Sequence, residues 1–248
     1  MSLSPLIGLI AASIFTPSGI QYVGGMEVNA SGWSTTPPPV SMSGALTGGI
    51  ASSPEAGDFC IVCYSQAGTA DRSNRSISNA AGEFTLLETS YVSDTNDVSI
   101  TVKYKFLESP IDYTLLFGSP SSSSNGVNVS IQVFRGVNVT TPFDVTHLID
   151  YGTSTVLPDP GSITPVTSGA VIGIFASGGM GVSISSTFTS SDYDNFTATT
   201  RSAASRSLAT AFGRKAWVSG TFNASTFGGI AVNAADSNLS VTFALRPA

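Results

Sequence analysis

The chain has 248 residues and a formal net charge of -6, with only 10% charged residues beside 42% hydrophobic ones. Ordinary soluble domains carry roughly 25% charge, and helical ones place much of it on their outer faces, so this composition argues against a helical protein. Ten Lys and Arg without a dense cluster argue equally against nucleic acid as a partner, because neutralising phosphates needs grouped cations.

Leu3 to Phe15 is apolar, with Leu6, Ile7, Leu9, Ile10, Ile14 and Phe15 as its large side chains. It lacks the basic stretch that precedes a secretory signal core and is too short to span a bilayer. The expectation is an assembly arm that docks on a neighbouring subunit, with a signal peptide as the competing reading; no other segment approaches membrane length. Trp33 and Pro37-Pro38-Pro39 follow, the prolines forming a stiff connector. Residues 1–39 are therefore expected to be arm and connector, and residues 40–248 one β-domain.

Asp58 to Tyr64 is a nearly continuous apolar run, as a central strand should be. It contains both cysteines, Cys60 and Cys63. Residues three apart on a strand face opposite ways, so the C-x-x-C spacing predicts two separate buried thiols; with one histidine in the chain, a zinc site lacks ligands. Phe84 to Leu87 and Val98 to Phe106 come next, the latter alternating apolar and polar. Asp112 to Phe117, Val127 to Phe134, Ala170 to Phe175, Val182 to Phe188, Ser207 to Phe212 and Leu239 to Leu245 complete the predicted strands. The glycines of Ser177-Gly178-Gly179-Met180-Gly181 read as a hairpin joining two of them.

The whole predicts an all-β, two-sheet antiparallel β-sandwich, jelly-roll-like, with an apolar interior and hydroxyl-bearing side chains outside. No internal repeat of fixed period is visible.

Motifs that carry chemistry are scarce. His147 is the sole histidine and no nucleophile elbow accompanies it, which argues against a catalytic triad. Glu83, Glu88 and Glu108 are the carboxylates to inspect for glycoside hydrolysis, although nothing marks a pair. Asp192, Asp194 and Asn195, and the loop Asp94-Thr95-Asn96-Asp97, offer oxygen ligands suited to calcium, the one cofactor the sequence leaves open. Trp33, Tyr22, Tyr91, Tyr151, Tyr193 and Trp217 fall near predicted loops or strand ends, where aromatic faces stack on sugars or anchor interfaces.

Four pieces resemble tailed-bacteriophage virion proteins with jelly-roll-like domains, found among tail-fibre, tail-tip and head-decoration components. They are Pro54-Glu55-Ala56-Gly57-Asp58-Phe59-Cys60-Ile61-Val62, Gly82-Glu83-Phe84-Thr85-Leu86-Leu87, Val102-Lys103-Tyr104-Lys105-Phe106 and Ile131-Gln132-Val133-Phe134-Arg135-Gly136-Val137. A weaker echo of the last lies in Val241-Thr242-Phe243-Ala244-Leu245-Arg246-Pro247. The resemblance implies a virion part: a tail-fibre or tail-tip component touching a host surface glycan, or a capsid decoration or head-fibre protein. It also implies association with copies of itself, as a homotrimer, and with other virion proteins through the arm. A free carbohydrate-binding or glycan-degrading module is the reading outside that group. Physically, Gly57-Asp58 reads as a turn into a strand, Gly136 as a bend after one, and Arg135 as a partner for a carboxylate such as Asp58, all fold-holding roles.

Overall fold

The computed structural model describes residues 19–29, 33, 37–118, 126–153, 157–180, 187–201, 206–229 and 237–248. Among them there is no helix. The strands are β1 (Gln21–Asn29), β2 (Val40–Ser41), β3 (Phe59–Gly68), β4 (Ile77–Asn79), β5 (Gly82–Glu83), β6 (Thr85–Val92), β7 (Asp97–Phe106), β8 (Thr114–Phe117), β9 (Val127–Arg135), β10 (Leu148–Thr153), β11 (Val171–Met180), β12 (Asn195–Arg201), β13 (Ser207–Ala216) and β14 (Ser237–Leu245).

Two five-stranded antiparallel sheets stack on each other, one in the order β1-β9-β3-β7-β6 and the other in the order β10-β14-β11-β13-β12. The protein is thus a β-sandwich. Its first sheet comes wholly from residues 21–135 and its second from residues 148–245, with one crossing between β9 and β10. Within the first part of the chain the strands also pass back and forth between the first sheet and a small sheet, β2-β8-β4-β5, as interleaved Greek keys do.

Each sheet takes its own strands in the same sequence: first, fifth, second, fourth, third. The two halves are therefore topological copies, which the absence of a sequence repeat had concealed. Matching the central strands β3 and β11 at their first residues pairs Gly57 with Gly169, both with positive φ, and Ser65 with Ser177. Because Phe59 lies opposite Phe134 and Val171 opposite Leu245, the same match pairs Arg135 with Arg246. The sheets pack as a two-fold relation requires: β1 over β12 and β6 over β10 at the flanks, β3 against β11 in the middle.

Both sheets are covered on both faces, which explains the unbroken burial of β3. Between them lies an apolar core of Phe59, Ile61, Val102, Phe175, Val241 and Phe243, among others. Outside the first sheet, the small sheet β2-β8-β4-β5 and its flanks bury Met42, Leu115 and Phe117 against Cys60, Val62 and Tyr64. Outside the second, loop residues Phe188, Tyr193 and Phe227 cover Ile174 and Ala211. Glycine makes room where rings cross strands: the Phe243 ring occupies the side-chain space of Gly173 and the Tyr193 ring that of Gly213.

This layering corrects the expectation that hydroxyls decorate the surface. Ser99, Thr101, Ser130, Ser177, Thr210, Ser240 and Thr242 are all buried. Several hold the covering segment in place: Ser99 Oγ accepts the Arg72 amide at 2.8 Å and Thr101 Oγ1 that of Arg75 at 3.0 Å. A buried amide needs an acceptor, and a strand hydroxyl supplies one where the sheet's own backbone is already paired.

Three further expectations change. Residues 21–29, assigned by sequence to the arm, form β1, paired along β9 from Gln21 opposite Arg135 to Asn29 opposite Asn128. Ser177 to Met180 is no hairpin but the end of β11, paired with β13 throughout and with β14 as far as Gly179, and Gly181 lies outside the described residues. Thr187 and Phe188 carry no strand, and residues 182–186 lie outside the described residues. Cys60 and Cys63 are free and buried in different cores, Cys60 beside Met42 and Cys63 beside Ser65.

Candidate functional site

The residues of the first and fourth motifs meet at one corner of the first sheet. Gly57, at φ 89°, turns the chain so that Asp58 enters β3 fully buried. Arg135, the last residue of β9, reaches it with both arms of the guanidinium: Nε donates to Oδ1 at 2.8 Å and Nη2 to Oδ2 at 3.0 Å. Glu55 adds a second carboxylate at 3.0 Å. Hydrogen bonding to Asp58 raises the Arg135 pKa above its ordinary value. Gly136, at φ 79°, then turns the chain where a Cβ would stand 2.8 Å from the Gly19 carbonyl. In the second half, Arg246 donates from Nε to Asp144 at 3.1 Å, and Asp144 also accepts the Val166 and Thr167 amides. Burial works against the Asp144 carboxylate, but these bonds outweigh it and lower its pKa.

The flank where β1 lies over β12 has a polar interior. Tyr22 and Glu27 on β1 and Asn128, Ser130 and Gln132 on β9 face Thr197 on β12 and Thr210 on β13. Glu27 Oε1 accepts from Ser130 Oγ at 2.6 Å and from Gln132 Nε2 at 3.1 Å, while Tyr22 donates to Gln132 Oε1 at 2.6 Å. Part of Glu27 reaches the surface, yet its Oε2 is closed to solvent. No ion pair reaches it among the described residues; the nearby Arg214 guanidinium stacks on the Tyr22 ring at 4.2 Å instead. Burial pushes the Glu27 pKa up to about 8, against the opposing bonds from Ser130, Thr197 and Gln132. The carboxyl is therefore a neutral acid at pH 7. It holds the flank together and lines a small pocket with Tyr22, Gly25, Gln132 and Thr197. Sequence reading missed it, since one Glu in Gly25-Met26-Glu27-Val28-Asn29 looks like the wet face of a strand.

At the opposite flank, β6 and β10 are bridged by His147 Nε2 and Glu88 Oε2 at 2.9 Å. Ser90 donates to Glu88 Oε1 at 2.7 Å. The carboxylate thus sits between serine and histidine, whereas nucleophilic catalysis requires histidine in the middle to take the serine proton. The cluster ties the edges of the two sheets together. Along β10 from His147, Ile149 and Tyr151 stand 38% and 69% exposed.

Of the aromatics expected to be open, Tyr151 alone is. Trp33 is buried against Phe117 and Tyr64, and Tyr193 is buried over Gly213 and beside Phe227. Tyr91 donates to Asp97 at 2.5 Å, Trp217 donates to the Gly220 carbonyl at 2.8 Å, and both are half-buried. Their rings fill cores and tie loops, because the covering layers claim the apolar surface that a simple sandwich would leave outside.

The calcium candidates are engaged in loop closure: Asp192 Oδ2 accepts the Ser225 amide, Asp194 Oδ2 accepts the Ala216 amide, and Asn195 opens β12 opposite Arg214. No group of three or more His, Cys, Asp or Glu stands ready for a metal among the described residues. Leu6, Ile7, Leu9, Ile10, Ile14 and Phe15 lie outside the described residues. No helix of the described residues is long and apolar enough to cross a membrane. No protein-family model, curated protein or solved structure matches this chain.

Proposed function

We propose that the chain is a structural protein of a tailed-bacteriophage particle, a tail-fibre or tail-tip component that presents its β-sandwich to a host surface. The observation that carries this reading is the corner at Asp58, Arg135 and Gly136. Two motif pieces that resemble virion proteins lie 77 residues apart and meet there in a two-point ion pair, so the resemblance follows the frame of the fold and not scattered surface residues. A second support is the serine–carboxylate–histidine order at Ser90, Glu88 and His147, which suits tethering of sheets and not catalysis.

Antibodies raised against the purified protein and imaged on intact particles test the reading. Labelling of the tail supports it; labelling of the head favours the decoration or head-fibre alternative; particles that never bind the antibody overturn it. Deleting residues 1–15 is expected to leave a folded protein that no longer joins the particle. Incubation with host polysaccharide separates retention, expected of a surface-binding module, from depolymerisation, which would make the chain a hydrolase.

A further inference from the structure

We infer that the outer edge of β10 is an association surface for a second copy of this chain, the two β10 strands pairing antiparallel about a two-fold axis. The inference stands apart from the virion reading.

An unpaired strand edge is a row of free amides and carbonyls, and folded proteins generally cover or distort it. Two of the four flank strands, β1 and β6, are so treated, and a third, β12, is touched at one carbonyl. β1, the topological counterpart of β10, is covered by the extended segment 47–51: Gly25 and Thr47 exchange amide–carbonyl bonds at 3.0 and 2.9 Å, and the Ile50 and Ala51 amides donate to Tyr22 and Val23 at 3.1 and 3.0 Å. β6 carries a register break between Leu86 and Glu88 and accepts the Asn74 amide on Thr89. Asn29 of β1 reaches over β12 to donate to the Thr200 carbonyl. β10 is six residues long, pairs without a break along β14, and has no backbone bond on its other side among the described residues. The corresponding edge in the first half thus shows what the site accepts, an added extended segment.

The strand suits itself as that segment. Asp150 is its one charged residue, and Ile149 and Tyr151 project from the inward face where β10 overhangs the first sheet. Antiparallel pairing about an axis normal to the sheet keeps inward residues opposite inward ones, so only every second register is allowed. Centring on Asp150 would set two carboxylates opposite each other, which disfavours pairing. Centring on Tyr151 sets the two tyrosines opposite each other, Ile149 opposite Thr153, and Asp150 opposite Gly152. The two second-half sheets then join into one continuous sheet. Pairing of this kind is isologous and yields a dimer, not the trimer that the resemblance implies.

The test is sedimentation of the full chain from about 1 to about 100 µM, a range suited to an interface of small area. The wild type is expected to become dimeric at the upper end. Ile149→Lys and Tyr151→Lys should remain monomeric with unchanged melting temperatures, and Val218→Lys, at an exposed site off the edge, should behave as wild type. Opposed strand residues have Cα atoms about 4.5–5.5 Å apart, within disulfide reach. Tyr151→Cys should therefore cross-link two chains under mild oxidation and Ile149→Cys should not. A wild type monomeric throughout, association untouched by both lysine variants, or equal cross-linking at 149 and 151 would each overturn the inference.

Discussion

Ser65 and Ser177 share a hydrogen bond of 2.6 Å between the two sheets, and each holds in its own half the place the other holds in its half. The pair marks where the two-fold relation crosses the interior. Removing one hydroxyl strands the other in an apolar setting, which costs more than removing both. Ser65→Ala or Ser177→Ala alone should therefore destabilise by about 1–2 kcal/mol, and the double variant should recover much of that. Urea unfolding of the four proteins measures the coupling; strict additivity would mean the bond contributes nothing.

At the corner, Arg135 is the cation that compensates a carboxylate with a side chain only 2% exposed. Arg135→Ala leaves Asp58 charged and enclosed, so a loss of about 3 kcal/mol is expected, while Asp58→Asn in that background should restore part of it. Arg135→Lys should fall between, because one ammonium cannot make both bonds of the fork. The midpoint of denaturant unfolding reads all three.

Glu27 makes stability depend on pH with a definite sign. Its folded pKa is raised from 4.5 to about 8, so the folded protein keeps a proton that the unfolded chain releases. Its contribution is fully present below pH 4.5 and declines as pH rises towards 8, by up to about 1.4 kcal/mol per pH unit. Glu27→Gln cannot ionise, so the variant should gain on the wild type across that interval and run parallel to it above. Paired melts at pH 5, 6.5 and 8 measure the difference; a constant offset would show that the carboxyl is ionised in the fold.

Gly173→Ala would place a methyl group in the space held by the Phe243 ring, and Gly213→Ala would do the same to Tyr193. Both are expected to lower stability by about 1–3 kcal/mol through forced rearrangement of a packed ring. Thermal melts of the single variants give the size; shortening Phe243 to Leu should partly relieve Gly173→Ala and leave Gly213→Ala unaffected.

Period-two patterns made Val98–Phe106, Val127–Phe134 and Leu239–Leu245 legible as strands, and the apolar run at Asp58–Tyr64 as a central one, because burial on one or both faces writes itself into side-chain polarity. Elements that obey other constraints stayed hidden. β1 mixes Gly24, which faces the covering segment at Leu46 and Ala51, with Gly25 and Glu27, which face Gln132 in the polar flank, and the threonines of β12 are exposed or half-buried. The buried Ser99 and Thr101 of β7 looked solvated, since sequence does not distinguish water from a covering loop as a hydrogen-bond partner. Arg135 and Asp58 could be named as a pair of types, but their contact rests on β3 lying beside β9, which register alone decides. His147 and Glu88 were each visible, yet nothing linear joins residues on facing sheets.

The lopsided interior gives the molecule a direction of failure. Beneath β7 and β14 the sheets adhere through aliphatic and aromatic side chains, whereas between β1 and β12 they are held by Glu27, Gln132, Asn128 and their neighbours. Alkali, which ionises the acid, attacks this flank and leaves the apolar middle untouched. Amide protons of β1 should then exchange sooner than those of β6 as the solution turns basic, so that the sandwich opens like a book along its wet margin while its spine at β7 and β14 stays shut.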